Sequence, residues 1–173
     1  MRVLGVDPGI VKIGYGAVEG DELIDFGLWD FASTYKTMGS KILDEQRRFY
    51  PALVEKVKKY DITHLALETV PNRAMGQRDR IVAIANTCHC VAIQYGLHFK
   101  QMGSRKVKSL ATGNSKASKE MMKDAVYRRF PDMPIVDKMP VDVFDGICIA
   151  DVAQTTGGWW TPVSSHYLGG RRG

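Results

Sequence analysis

The chain has 173 residues, a formal net charge of +5 and a sequence pI near 9.1. That length fits one ordinary domain with its own core, which removes any need for disulfides or a structural metal, and the mild basic balance favours an anionic partner. Met1 leads straight into Arg2-Val3-Leu4 with no signal-peptide apolar region, no run is long and apolar enough to span a bilayer, and three cysteines suit a reducing compartment, so a soluble, cytoplasmic protein is expected.

In chain order, Val3 to Val6 reads as a strand, Asp7-Pro8-Gly9 as a turn and Lys12 to Val18 as a second strand, with a third from Leu23 to Trp29 completing a meander. Ile42, Phe49, Leu53, Val57 and Tyr60 recur at helical spacing, which predicts an amphipathic helix from Ile42 to Tyr60 with a kink at Pro51. The short apolar run Ile62 to Leu67 predicts a strand covered on both faces, with Glu68 at its end. A helix from Gln77 to Tyr95, inward-facing at Ile81, Ile84, Cys88, Val91 and Tyr95, stops at Gly96. Leu97 to Met102 returns as a strand. Helices near Arg105 to Ala111 and Lys116 to Phe130 follow, and a last helix begins near Val141 and ends before Gly157-Gly158. This order predicts an α/β domain over residues 1–158, a mixed sheet of three antiparallel strands plus parallel strands flanked by helices, followed by a C-terminal tail over 159–173.

Four acids stand out against that frame. Asp7 follows a buried strand at once, at the sheet edge where ligands commonly bind, although Asp-Pro-Gly alone also reads as turn chemistry. Glu68 likewise ends an apolar strand. Asp142 and Asp145 lie three apart at a helix start, on one face that Ile149 and Val152 continue inward. Helix capping explains one of the two; both on a core-facing stripe cannot be caps, and burying them without partners is costly. If the four converge, each pair near 4 Å repels by about 4 kcal/mol at an effective dielectric of roughly 20. Such a cluster calls for a cation, and all-oxygen ligation selects Mg²⁺, with Mn²⁺ as a substitute. Two such ions can activate water and stabilise the leaving oxygen of a phosphodiester.

Gly5-Val6-Asp7-Pro8-Gly9, then Gly14-Tyr15-Gly16, Leu65-Ala66-Leu67-Glu68, and Asp142-Val143-Phe144-Asp145-Gly146 with Ile149-Ala150, resemble in order and spacing the RuvC family of Holliday-junction resolvases. The resemblance implies an RNase H-like fold, a homodimer and symmetric paired nicks across a four-way junction. It implies that Asp7 bridges two metal ions, with Glu68 on one, Asp145 on the other and Asp142 completing the site. It also implies that Lys108 and Lys119 contact the scissile phosphate, with Lys119 counted among the catalytic residues. These lysines lie in the most basic stretch of the chain, where Lys100, Arg105, Lys106, Lys108, Lys116, Lys119 and Lys123 face only Glu120 in sequence. DNA contact by Arg105, Lys106, Lys108, Lys116 and Lys119 is expected there, the alternative being a solvated helix face.

One departure concerns the aromatic wedge that bacterial members carry shortly after the strand-end Glu. Here the chain reads Thr69-Val70-Pro71-Asn72-Arg73-Ala74-Met75, so Arg73 or Met75 are the candidates to replace it, and Arg73, Met75 and Arg78 are expected to contact DNA. Branched DNA, including three-way and flap forms, is therefore the safer substrate class, and the divergence suits a phage-encoded relative.

Other features read as structural. Cys88 and Cys90 point about 200° apart on a helix, which disfavours a shared ion; Cys88 and Cys148 read as core filler and His64 as an interior histidine. Trp159-Trp160 reads as cover for the core or a partner subunit. The rivals are a same-fold nuclease for RNA or RNA–DNA hybrid, a sugar-kinase or actin-like phosphotransferase, which length disfavours, and a DNA-junction-binding protein without catalysis.

Overall fold

The computed structural model describes residues 1–9, 12–69, 78–136 and 138–161. Its strands are β1 Arg2–Asp7, β2 Lys12–Glu19, β3 Glu22–Asp30, β4 His64–Glu68 and β5 His98–Met102; its helices are α1 Met38–Lys59, α2 Arg78–Tyr95, α3 Ser104–Thr112, α4 Lys119–Arg129 and α5 Val141–Thr155. The five strands form one sheet in the order β3-β2-β1-β4-β5. The β1–β2 and β2–β3 pairs are antiparallel, whereas β4 and β5 run parallel to β1, so the mixed RNase H-like sheet expected from the sequence is the one observed.

Side chains on a strand alternate between faces, and here the alternation sorts the core into two layers. Leu4, Val6, Leu65 and Leu67 pack with Phe49, Leu53, Ile84, Cys88 and Val91 from α1 and α2. Val3 and Ala66 turn to the other face, where they meet Met122, Phe144, Ile147 and Ile149 from α4 and α5. Parity therefore sends Asp7 and Glu68, which end β1 and β4, to the α5 side. The parallel register pairs Val6 with Leu67, so the two acids follow one step on, side by side.

Helix α5 lies unusually close to the sheet, and glycines make room for it. A Cβ on Gly14 would stand 1.8 Å from the Asp142 carbonyl oxygen, and one on Gly146 would stand 2.6 Å from Tyr15 Cα. Gly5 and Gly16 share the parity of Gly14, and their Cβ atoms would meet Gly146, Ala150 and Ile147 at 2.4–2.6 Å. Any larger residue would lift α5 off the strands and carry its acids away.

The boundaries differ from the sequence reading mostly through capping. Helix α1 starts at Met38 because the Thr37 side chain accepts from the Ser40 amide, and it continues through exposed Pro51. Helix α4 starts at Lys119 rather than Lys116, since Ser118 caps it by accepting from the Met121 amide. Gly96 takes the left-handed conformation after α2, with φ of +64°. Beyond α5, Trp160 exchanges backbone hydrogen bonds with Phe99 on the outer strand β5, and Trp159 packs against the α5-side core.

Candidate active site

Three of the four acids gather above the C-terminal ends of β1 and β4, with Glu68 beside Asp7 and Asp145. Asp7, Asp142 and Asp145 each present a carboxylate oxygen to a group whose members all lie within 4.8 Å of one another. Glu68 completes the set across a cleft of about 210 Å³ lined by Asp7, Glu68, Ser104, Val107, Lys108, Lys119, Met122 and Asp145. Asp142 sits in the first turn of α5 and Asp145 one turn on, with Asp145 buried at 8% exposure. The N-cap of that helix is Pro140, which makes no side-chain capping hydrogen bond, so neither acid is its N-cap residue. The Gly9 amide donates to the Asp7 carbonyl at 2.8 Å, closing the Asp-Pro-Gly turn and holding the backbone rather than the carboxylate.

The electrostatics are those of an under-neutralised cluster. Burial, then the nearby charges of Glu68 and Asp145, push the Asp7 carboxyl up to about 8, with Lys119 opposing and Asp142 reinforcing the rise. Burial and Asp145 also raise Glu68, against a hydrogen bond with Ser104 and the charges of Lys119 and Lys108. Lys119 is the cation at the centre. Its Nζ hydrogen bonds Asp145 and lies 3.6 Å from Asp142 Oδ1. Burial works against its ammonium, but the hydrogen bond and charge of Asp145, with Asp142 and Asp7, outweigh that and hold its pKa above the ordinary lysine value. Two ammonium groups, Lys119 and Lys108, face the four acids, and a hard divalent cation fits this all-oxygen donor set.

The basic residues divide into groups. Lys108 points into the cleft and donates to the Ala117 carbonyl at 2.9 Å. Arg105, Lys106 and Lys116 are exposed around α3 and the loop before α4, and Arg78 is exposed at the start of α2. Arg73 and Met75 lie outside the described residues. Lys100, part of the basic stretch by sequence, does not belong to this surface: it is 6% exposed and donates to the carbonyls of Thr156 and Gly157, both at 2.7 Å. There it closes the C-terminal end of α5, a position where a cation satisfies otherwise unpaired carbonyls.

The sequence reading missed Ser104, whose contact with Glu68 depends on where α3 begins, and the role of the glycines as spacers for α5. The readings of Cys88 and Cys148 agree with the structure, whereas His64, expected in the interior, is half-buried. Both cysteines are buried, Cys90 is exposed, and His64 Nδ1 lies 2.7 Å from Thr63 Oγ1 with its ring stacked on His98. A larger cleft of about 620 Å³ lies at the opposite end of the sheet, but Glu19, Asp21, Glu22 and Asp132 line it, a charge that repels a phosphate backbone.

Comparison with known proteins bears on the family and the fold. The family model described as crossover junction endodeoxyribonuclease RuvC matches residues 3–152. A crossover junction endodeoxyribonuclease RuvC of Prosthecochloris aestuarii is 31% identical over 87% of this chain and 79% of its own, and that of Chloroherpeton thalassium is 28% identical over 87% and 80%. Among solved structures, Thermus thermophilus RuvC in complex with a Holliday junction substrate superposes with a TM-score of 0.72 at 20% identity, covering 87% of this chain and 90% of that one. With the matched region reaching from β1 into α5, and so spanning all four acids, the chain belongs to the RuvC family of crossover junction endodeoxyribonucleases.

Proposed function

We propose that this protein is a structure-selective endonuclease that resolves Holliday junctions and other branched DNA by hydrolysing a phosphodiester in each of two symmetry-related strands. The observation that carries the reading is the convergence of Asp7, Asp142 and Asp145 beside Glu68 in a fold matched to the family. Asp7, Glu68, Asp142 and Asp145 would hold two Mg²⁺ ions, or Mn²⁺ in their place, and bound ions of this kind would activate a water and stabilise the leaving oxygen. Asp7, whose carboxyl feels both Glu68 and Asp145, would be the ligand that serves both ions, as the family resemblance implies.

The protein's own groups supply the rest. Lys108 and Lys119 line the cleft and neutralise the phosphate to be cut. Arg105, Lys106 and Lys116, exposed beside it, hold the flanking backbone, Arg78, exposed at the start of α2, adds a further contact, and Arg73 and Met75 are the junction-centre candidates. One active site cuts one strand, so paired nicks require a homodimer. Among the described residues no helix is long and apolar enough to cross a membrane, which is compatible with action in the cytoplasm of a bacterial or phage-infected cell.

The test is incubation of the purified protein with labelled four-way, three-way, flap, RNA–DNA hybrid and linear duplex substrates, with and without Mg²⁺. Mg²⁺-dependent, symmetric cuts in four-way junctions are expected, well ahead of linear duplex. Equal rates on junction and linear duplex would refute structure selectivity, and a preference for the hybrid would move the protein to the RNA-processing relatives.

A further inference from the structure

Lys119 faces two claims on one ammonium. It is the first residue of α4, and its Nζ is bonded to Asp145 and lies 3.6 Å from Asp142. Those two carboxylates, with Asp7, are the three whose oxygens gather within 4.8 Å. The ammonium therefore occupies oxygens that a divalent cation would need. No other lysine or arginine among the described residues forms an ion pair with Asp142 or Asp145. The Lys119 side chain is 45% exposed, on a flexible stem that can turn from the carboxylates to a phosphate entering the same cleft.

We infer that Lys119 is a displaceable internal counter-ion: a divalent cation must evict it from Asp142 and Asp145, and the released ammonium then serves the DNA phosphate, so that one side chain couples metal binding to backbone binding. The inference rests on the reading of the cleft as a divalent-cation site and adds a competitor to it. Before metal arrives, the lysine relieves part of the repulsion among the acids; afterwards the ion does so, and the lysine is left facing outward. Coupling of this kind is reciprocal, so whatever factor the metal adds to DNA affinity, DNA adds to metal affinity. Ions would then gather at the site mainly when a phosphate is there to receive the lysine.

The test titrates Ca²⁺ and Mn²⁺ calorimetrically into the full-length wild type, Lys119→Met and Lys119→Arg, without DNA. Removing the competing charge is expected to tighten ion binding about tenfold, about 1.4 kcal/mol, whereas Lys119→Arg, which keeps the charge, stays near wild type. In parallel, the wild type is treated with an amine-acylating reagent and read by mass spectrometry. Saturating Ca²⁺ should speed acylation of Lys119 several-fold and leave Lys123 unchanged, a readout that survives even if Lys119→Met does not fold. Ion binding by Lys119→Met no tighter than wild type, or acylation of Lys119 unchanged at saturation, overturns the inference. Failure of both wild type and Lys119→Met to bind any divalent ion would instead remove the cation site itself, and with it the proposed function.

Discussion

Two regions of this molecule bury carboxylates, and they handle the charge in opposite ways. Between α1 and α2, Glu45 is 3% exposed and is gripped by Arg80, itself 8% exposed, through Nε at 2.9 Å and a second contact from the other guanidinium nitrogen. One acid meets one planar cation, and the pair is saturated. Above β1 and β4, four acids face Lys119 and Lys108 alone among the described residues, and burial, reinforced by the charges of Glu68 and Asp145, raises Asp7 to about 8. A buried ion pair that closes on itself latches two helices together. A cluster left short of positive charge stores an affinity for ions from solution, at some expense to the stability of the metal-free fold.

The contrast can be broken from the functional side first, where the largest effect lies. Asp7→Asn should lower the cleavage rate on a four-way junction roughly a thousandfold or more, the loss of several kcal/mol of metal-assisted stabilisation. Junction binding measured by gel shift in Ca²⁺ should persist, and a variant that still cuts at the wild-type rate would remove Asp7 from the chemistry. The structural side comes next. Arg80→Ala should destabilise the protein by about 3–5 kcal/mol in denaturant titration, because it strands a buried carboxylate. Pairing it with Glu45→Leu should recover much of that loss, and a double variant no more stable than Arg80→Ala would contradict the latch.

A smaller effect separates the two regions by pH. Asp7 ordinarily ionises at 3.8 and is held at about 8 in the fold, so between those values the native state binds a proton that the unfolded chain has released. Its contribution to stability is fully present below about 4 and is lost as pH rises through 8; the upward shift of Glu68 acts in the same direction. Metal-free protein in chelator should therefore unfold at progressively lower denaturant as pH climbs across that window, and Asp7→Asn should flatten the trend. Divalent ions, which compete with that proton, should bind more tightly with rising pH. An unchanged slope in Asp7→Asn would show that Asp7 is not the group responsible.

The smallest effect concerns the basic surface. Neutralising exposed Arg105, Lys106 or Lys116 should each lower the salt slope of junction binding by about one unit or slightly less. Lys100→Met, whose ammonium closes α5 instead, should leave that slope unchanged and lower thermal stability. A drop in the salt slope for Lys100→Met would add it to the DNA-contacting group.

How far the sequence carries this picture is seen in its acids. Strand endings at Asp7 and Glu68 and the three-residue spacing of Asp142 and Asp145 were legible because each depends on local periodicity alone. Strand parity was also in the letters. Gly5, Gly14 and Gly16 alternate with Leu4, Ile13 and Tyr15, and their small face marks where a helix comes close, though the identity of that helix, α5, is a tertiary fact. The Glu45–Arg80 pair spans 35 residues with no local signature, and Lys100 looked like its basic neighbours until the end of α5 folded over it. Charge runs show composition, whereas the partner of each charge is decided by packing.

Whether the acid cluster takes an ion and parts with its own lysine is read most plainly by anomalous diffraction from crystals soaked in Mn²⁺. Anomalous density is expected among Asp7, Glu68, Asp142 and Asp145, with Lys119 Nζ withdrawn from the two α5 carboxylates. A site without anomalous density at saturating Mn²⁺, with Lys119 still seated on Asp145, would contradict that expectation.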